Sequence, residues 1–577
     1  MTVKCLLATA LLISAIQPAF AGTESVQAIG VQRTIVPQLG PNARDRYRDI
    51  FASIKSHDWA GATAKLNAMP EGPLHNVARA ELYLAKGSPA VDGAALAALA
   101  AKAPDLPQAQ SLVRLAKARG IDLLTALPST QELNWLGSAP RRGKVARADD
   151  ALSSTMAARI LPLIKDNQPN EAEVILDAKA TELGGESRTE WQQRVAWSYY
   201  ITGDDVAARR LAAKAQVGSG EWAAQADWIQ GLAAWRQRDY KAASDAFASV
   251  ARRASDTELV SAGHFWAARA DMAAGTPTMI ATRLRAAARN PETFYGLLSL
   301  QRLGLKAIPE DPTLDGSAEK LPNVRAALAL AEIGERVLAD GLIRHQARIG
   351  DARDHSALAV LAGRMDLPAT QLFLAHNGPS GARSQASARY PAPKGWMPTG
   401  GWRVDRALVY AHTLEESRFR VDVTSQAGAR GLMQVRPGTA ADIARRRGQT
   451  VGSLANPAIN MEFGQSYIEQ IRDMSETGGF LPKVIAAYNA GPTPVGVWNA
   501  RTRDNNDPLL YIESIPYWET RAYVATVMRN YWMYEQQAGE PAKSLAALSQ
   551  GMWPRFPGLP GPSAVRLDRV SGVQSAD

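Results

Sequence analysis

The chain holds one cysteine, Cys5, and only seven histidines among 577 residues. Beyond Cys5 there is no thiol, which excludes a disulfide scaffold, thiolate metal ligands and a cysteine nucleophile. The histidines lack the clustered spacing of a metal site, and no HExxH, glycine-rich phosphate loop or G-x-S-x-G elbow occurs. His412 and Glu416 stand four apart, but two such residues read as a helix-face pair and not as a metal centre. Alternating β-branched runs are scarce, which argues against a sheet-based fold. Stability must therefore come from extensive helix packing.

Long hydrophobic runs are also missing. The apolar stretch "CLLATALLISAI" is broken by Gln17 and Pro18, short of the about 20 residues that span a bilayer. Lys4 before it and Ala19-Phe20-Ala21 after it give residues 1–21 the form of an export signal, with Gly22 the first mature residue. No cysteine follows the cleavage point, so neither a lipid nor a stable membrane anchor is expected. The net charge of +9 is spread along the chain. It suits an anionic polymer, and export favours cell wall over nucleic acid as that polymer.

What is abundant is alanine and leucine at helical spacing. From about residue 42 to 375, apolar periodicity is interrupted by short breakers such as "KGSP" and "ITGDD", a pattern that predicts helical hairpins. "YYITGDDVAARRLA" at Tyr199 and "AWRQRDYKAASDAF" at Ala234 align, with Asp204 matching Asp239, and "HDWAGATAKL" at His57 echoes their start. Three echoes make an irregular α-solenoid. Its tryptophans, Trp191, Trp197, Trp222, Trp228, Trp235 and Trp266, could stack sugars, but their helical spacing favours packing between helices.

The expected fold class is all-α. Residues 22–377 form the solenoid, 378–400 a Gly/Pro/Ser-rich linker, 401–540 a second helical domain and 541–577 a mobile Pro/Gly-containing tail.

Chemistry concentrates in the second domain. In "VDRALVYAHTLEES" the stripe Val404, Ala407, Leu408, Ala411, Leu414 places Glu415 near the apolar face and Glu416 beside it. Periodicity alone nominates Glu415 as the buried acid and leaves the choice open. Downstream come "SQAGARGLMQVRPGTA", "AAYNAGP" and "ESIPYWETRAYV". Each by itself reads as a turn, a cap or a surface pair.

Together these segments resemble the lytic transglycosylase domain of soluble murein transglycosylases, a goose-type-lysozyme-like α fold. The resemblance rests on "ESRF" at Glu416, "SQAGARGLMQ" at Ser425, "AYNAGP" at Ala487, "ESIPYWETRAYV" at Glu513 and the intervening "NPAINMEFGQSYI". It extends more weakly to the superhelical ring of such enzymes, through "ETFYGLLSLQRLG" at Glu292.

The resemblance implies that the glutamate before the serine, Glu416, is the catalytic acid and then base. Ser425, Met433, Gln434, Tyr488, Asn489 and Glu519 fall on substrate-binding or framework positions. Arg436 departs from the apolar residue common there. The implied reaction cleaves the bond between N-acetylmuramic acid and N-acetylglucosamine and closes a 1,6-anhydro ring, without metal or cofactor. Peptidoglycan strands in the periplasm would be the substrate, and the solenoid could also dock cell-wall synthesis or secretion machinery. Two rival readings are a hydrolytic muramidase with Asp422 as second carboxylate, and a non-catalytic wall-binding scaffold.

Overall fold

A helical hairpin needs a residue that reverses the chain and a cap that starts the next helix, and this chain meets that need repeatedly in the same way. The computed structural model describes residues 36–122, 125–307 and 315–567. The expected export signal and positions 568–577 lie outside them. Helix Gly185–Thr202 ends at Gly203 (φ 90), and Asp204 then caps Asp205–Gln216 by accepting from the Ala207 N–H. Arg238 (φ 63) with Asp239, and His57 (φ 63) with Asp58, repeat this turn. A left-handed conformation costs a residue other than glycine about 1–2 kcal/mol, which the cap's contribution of about 1 kcal/mol partly offsets.

The described residues form 26 α-helices, with only two-stranded pairings beside them. The all-α expectation holds. Small residues set the helix spacing: a Cβ on Gly231 would sit 2.5 Å from the Phe247 ring, and one on Gly263 would sit 2.8 Å from the Phe247 carbonyl.

Two cores result. The first joins the early helices, Pro41–Lys55 through Ala109–Ala118, to those from Pro322–Ile333 through Pro368–His376. The chain thus returns on itself. Glu332 accepts from the Gln38 and Leu39 N–H groups and pairs with Arg44, while Asn134–Trp135 pairs antiparallel with Asn377–Gly378. The second core joins the helices from Ala151–Lys165 through Phe294–Leu303 to the C-terminal region. Of the solenoid tryptophans, Trp191, Trp222, Trp228 and Trp266 are buried, as core packing requires.

Two segments differ from their compositional reading. The 378–400 stretch is irregular, yet Tyr390 is buried against Tyr534, the Tyr410 hydroxyl donates to the Pro393 carbonyl, and Asp366 accepts from the Lys394 and Gly395 N–H groups. It is a fastened loop. From 541 to 567 the expected mobile tail is instead structured. Lys543–Ser549 is helical, Trp553–Pro554 pairs with Ala564–Val565, and Leu545, Leu548, Trp553 and Phe556 are buried. Glycine and proline suggested mobility there, but four large apolar side chains spaced among them are buried and fasten the segment to the core.

Candidate functional site

Helix Arg406–Ser417 starts behind Asp405, whose carboxylate accepts from the Ala407 N–H. It buries Leu408, Val409, Ala411, His412 and Thr413, and stops where Arg418 and Phe419 turn left-handed (φ 53 and 60). That stop leaves Glu415 and Glu416 on the last turn, against helix Trp518–Gln537.

Their surroundings distinguish the two carboxyl groups. Glu415 pairs with the Arg141 guanidinium, which comes from the extended strap preceding helix Ala151–Lys165. Burial raises its pKa, and Arg141 and Arg529 oppose that rise. Glu416 has no such cation. Burial pushes its carboxyl up to about 7, a hydrogen bond from Tyr523 acts against this, and the charges of Glu415 and Glu519 add to it. The physical difference that periodicity could not supply is therefore the neighbour, since one glutamate is held by an arginine and the other by a phenol.

The Tyr523 hydroxyl lies 2.6 Å from Glu416 Oε1 and 2.8 Å from His412 Nδ1. It has one proton, so donating to Glu416 obliges His412 to donate from Nδ1. His412 is fully buried, its imidazole is held down to about 3 by burial, and its Nε2 has no partner among the described residues. A bare ring nitrogen costs less buried than an unpaired N–H donor, which agrees with the Nδ1-protonated neutral form. This arrangement satisfies Oε1 and leaves Oε2 as the oxygen that can carry and release a proton.

A framework surrounds this pair. The Tyr488 hydroxyl donates to the Met433 carbonyl at 2.7 Å, and its ring lies 4.5 Å from that of His412 and 5.5 Å from that of Tyr467. Thr424, Arg430 and Val435 form a short bridged ladder that presents Gln434. Gln434 is itself left-handed (φ 48) and donates from Nε2 to the Gly431 and Val423 carbonyls. Asn460 braces the same loop, accepting from the Met433 N–H and donating to the Arg430 and Leu454 carbonyls.

The charge of Glu519 acts on Glu416 and that of Glu416 acts on Tyr488, which holds the Met433 carbonyl next to Gln434 in the chain. The Met433 side chain is fully buried, so it underlies the site and does not touch an occupant. Asn489 accepts from the Thr520 hydroxyl, which joins two helices. Ser425 Oγ accepts from the Ala429 N–H within its own turn. Asp422 and Arg436 are exposed, and Asp422 is not among the charges acting on Glu416.

Two residues escaped the sequence reading, and the role of a third was missed. Tyr523 stands four after Glu519 on one helix face, a spacing that would have nominated it. Tyr467 gave only a tertiary signal, and His412 was read only as a helix-face partner of Glu416.

Residues 397–510 match the family model described as Transglycosylase SLT domain, a span that includes every candidate site residue except Glu519. The chain is 31% identical over 157 residues to the soluble lytic murein transglycosylase of Escherichia coli K12, a match covering 26% of this chain and 24% of that relative. The sequence match therefore spans about a quarter of that relative's length. The fold likeness is wider. The crystal structure of the 70 kDa soluble lytic transglycosylase Slt70 of Escherichia coli superposes with a TM-score of 0.52 at 17% identity, covering 89% of this chain and 99% of that one. An inactive mutant of the lytic transglycosylase Slt of Pseudomonas aeruginosa gives 0.51 at 20% identity, with 86% of each chain covered. The architecture is thus a superhelical α-domain followed by a lysozyme-like helical domain.

Proposed function

We propose that the protein is a peptidoglycan lytic transglycosylase in which Glu416 alone supplies acid and base. The observation that carries this reading is the Glu416 carboxyl group, brought to about 7 by burial, without an ion pair among the described residues, and with one oxygen held by Tyr523. Near neutrality such a group is present in both protonation states, which a residue acting first as acid and then as base requires.

Protonated Glu416 donates from Oε2 to the oxygen linking N-acetylmuramic acid to N-acetylglucosamine, and the C1–O bond breaks. The N-acetyl group of the muramoyl sugar steadies the cationic C1. Glu416, now a carboxylate whose Oε1 accepts from Tyr523, takes the proton of the muramoyl C6 hydroxyl. That oxygen attacks C1 and closes the 1,6-anhydro ring. The intramolecular hydroxyl has the proximity advantage over water, and one carboxyl group suffices where hydrolysis takes two.

In this reading Gln434, Tyr488 and Glu519 orient the sugar, Met433 and Asn489 hold the framework, and Ser425 shapes the loop. Residues 1–21 direct export to the periplasm. The superhelical domain tracks glycan strands or docks wall-synthesis partners.

The test is digestion of purified sacculi by the wild type, Glu416→Gln and Asp422→Asn. Release of soluble muropeptides should fall by about 10² or more in Glu416→Gln, the contribution of a general acid, and persist in Asp422→Asn. Activity surviving in Glu416→Gln, or lost in Asp422→Asn, would overturn the assignment.

A further inference from the structure

Helix Trp518–Gln537 serves two faces. Glu519 and Tyr523, four apart, turn toward Glu416. Trp518 and Arg521, three apart, turn the other way and line a cleft of about 160 Å³ between the superhelical domain and the C-terminal domain. The cleft is walled by Trp197, Trp222, Trp228 and Trp518 and lined by four cations, Arg142, Lys144, Arg194 and Arg521, with no carboxylate among its lining residues.

Two of these cations are already neutralised. Arg142 pairs with buried Glu513, and Arg194 pairs with Glu190. The other two form no ion pair among the described residues, although the charge of Glu513, already paired with Arg142, also acts on Arg521. Arg521 is buried, stacks at 4.2 Å over Trp197 and 5.2 Å over Trp518, and donates only to the Glu513 and Ile515 carbonyls, with no ion pair among the described residues. Lys144 is exposed on the strap and likewise has no ion pair among the described residues. A buried, unpaired guanidinium is costly unless an anion completes it. Flat indole faces beside cations suit a sugar ring that bears a carboxylate.

We propose that this interdomain cleft is a second binding site, separate from the Glu416 groove, for a carboxylate-bearing sugar of the murein strand, with Arg521 and Lys144 meeting the carboxylate and the half-buried Trp197 and Trp518 stacking the ring. The choice of sugar rests on the proposed murein substrate.

The probe is N-acetylmuramic acid, with uncharged N-acetylglucosamine as control, titrated calorimetrically into the full-length Glu416→Gln protein and followed by the indole N–H signals of Trp222 and Trp518. Free N-acetylmuramic acid has no glycosidic bond to cleave and binding is read without turnover, so failure of binding and failure of the catalytic reading are separately visible. N-acetylmuramic acid should bind about tenfold or more tightly than the control, shift both indole signals, and lose about tenfold or more in Lys144→Glu, the loss expected when a charged hydrogen-bond donor is reversed. Arg521→Met should lose as much. If that variant does not fold, exposed Lys144 still decides the matter. No binding, equal binding of the neutral sugar, or binding unchanged in Lys144→Glu would each overturn the proposal.

Discussion

Replacing Tyr523 with phenylalanine removes one hydroxyl from a packed ring, and with it the hydrogen bonds to Glu416 and His412. The hydroxyl sits 2.6 Å from Oε1 and favours the ionised carboxylate, opposing the burial that raises the group to about 7. A hydrogen bond to a charged acceptor contributes about 1.5–3 kcal/mol, against about 1 kcal/mol to a neutral one. The difference is about 1–2 kcal/mol, or roughly one pKa unit at 1.36 kcal/mol per unit. Its loss raises the Glu416 pKa further. Because the first step needs the protonated acid, kcat/KM of the wild type should fall as pH rises through about 7. In Tyr523→Phe that falling limb should move up by about one unit, with a lower maximum because Oε1 is no longer held. The assay is the pH profile of muropeptide release between pH 5 and 9. An unmoved limb, or one displaced downward, would refute the role assigned to the Tyr523 hydrogen bond.

Glu416 ionises in the folded protein only at a cost, since its pKa rises from 4.5 unfolded to about 7 folded. That cost is absent below about 4.5, grows between 4.5 and 7, and reaches about 3 kcal/mol above 7. Thermal unfolding of Glu416→Gln against wild type should therefore show a stabilised variant at pH 8.5 and little difference at pH 4.5. Equal differences at both values would contradict the burial of the carboxyl group. Gly464→Ala places a Cβ 2.2 Å from Met433 Sδ, beneath the carbonyl that holds Tyr488. Overpacking of this kind destabilises by about 1–3 kcal/mol, and both the melting temperature and muropeptide release should drop. Normal activity would show that Met433 can yield. Deleting residues 541–577 strips Leu545, Leu548, Trp553 and Phe556 from the core. At about 1.5–3 kcal/mol for each buried side chain, the truncated chain should be insoluble or rapidly proteolysed, and a stable, soluble product would restore the mobile-tail reading.

Much of the fold was legible because it follows from local rules. The Asp204, Asp239 and Asp58 echo marked true helix caps, each preceded by a left-handed turn. Other turns of the same kind, at Asn167, Gly334 and Asp366, went unseen because Gln168, Glu335 and Leu367 after them provide no side-chain cap. Closure of the chain through Glu332 and Gln38 joins residues almost 300 positions apart, which no short window reveals. At the site, the helical wheel nominated Glu415 as the buried acid and left the choice open, while the fold sets both glutamates on the last turn. Their roles differ through Arg141 and Tyr523, which approach from other elements. The tail was misjudged because composition was weighed above four spaced apolar residues.

The central claim is that a hydroxyl of the substrate, and not water, captures C1 after Glu416 protonates the bond. Sacculi digested by the wild type in ¹⁸O-water and analysed by mass spectrometry test this directly. The account predicts muramoyl ends lighter than hydrated ends by one water and free of ¹⁸O, formed by the wild type and absent with Glu416→Gln. Reducing ends carrying one ¹⁸O would show that water is the nucleophile, and would contradict the single-glutamate transglycosylase mechanism in favour of hydrolysis.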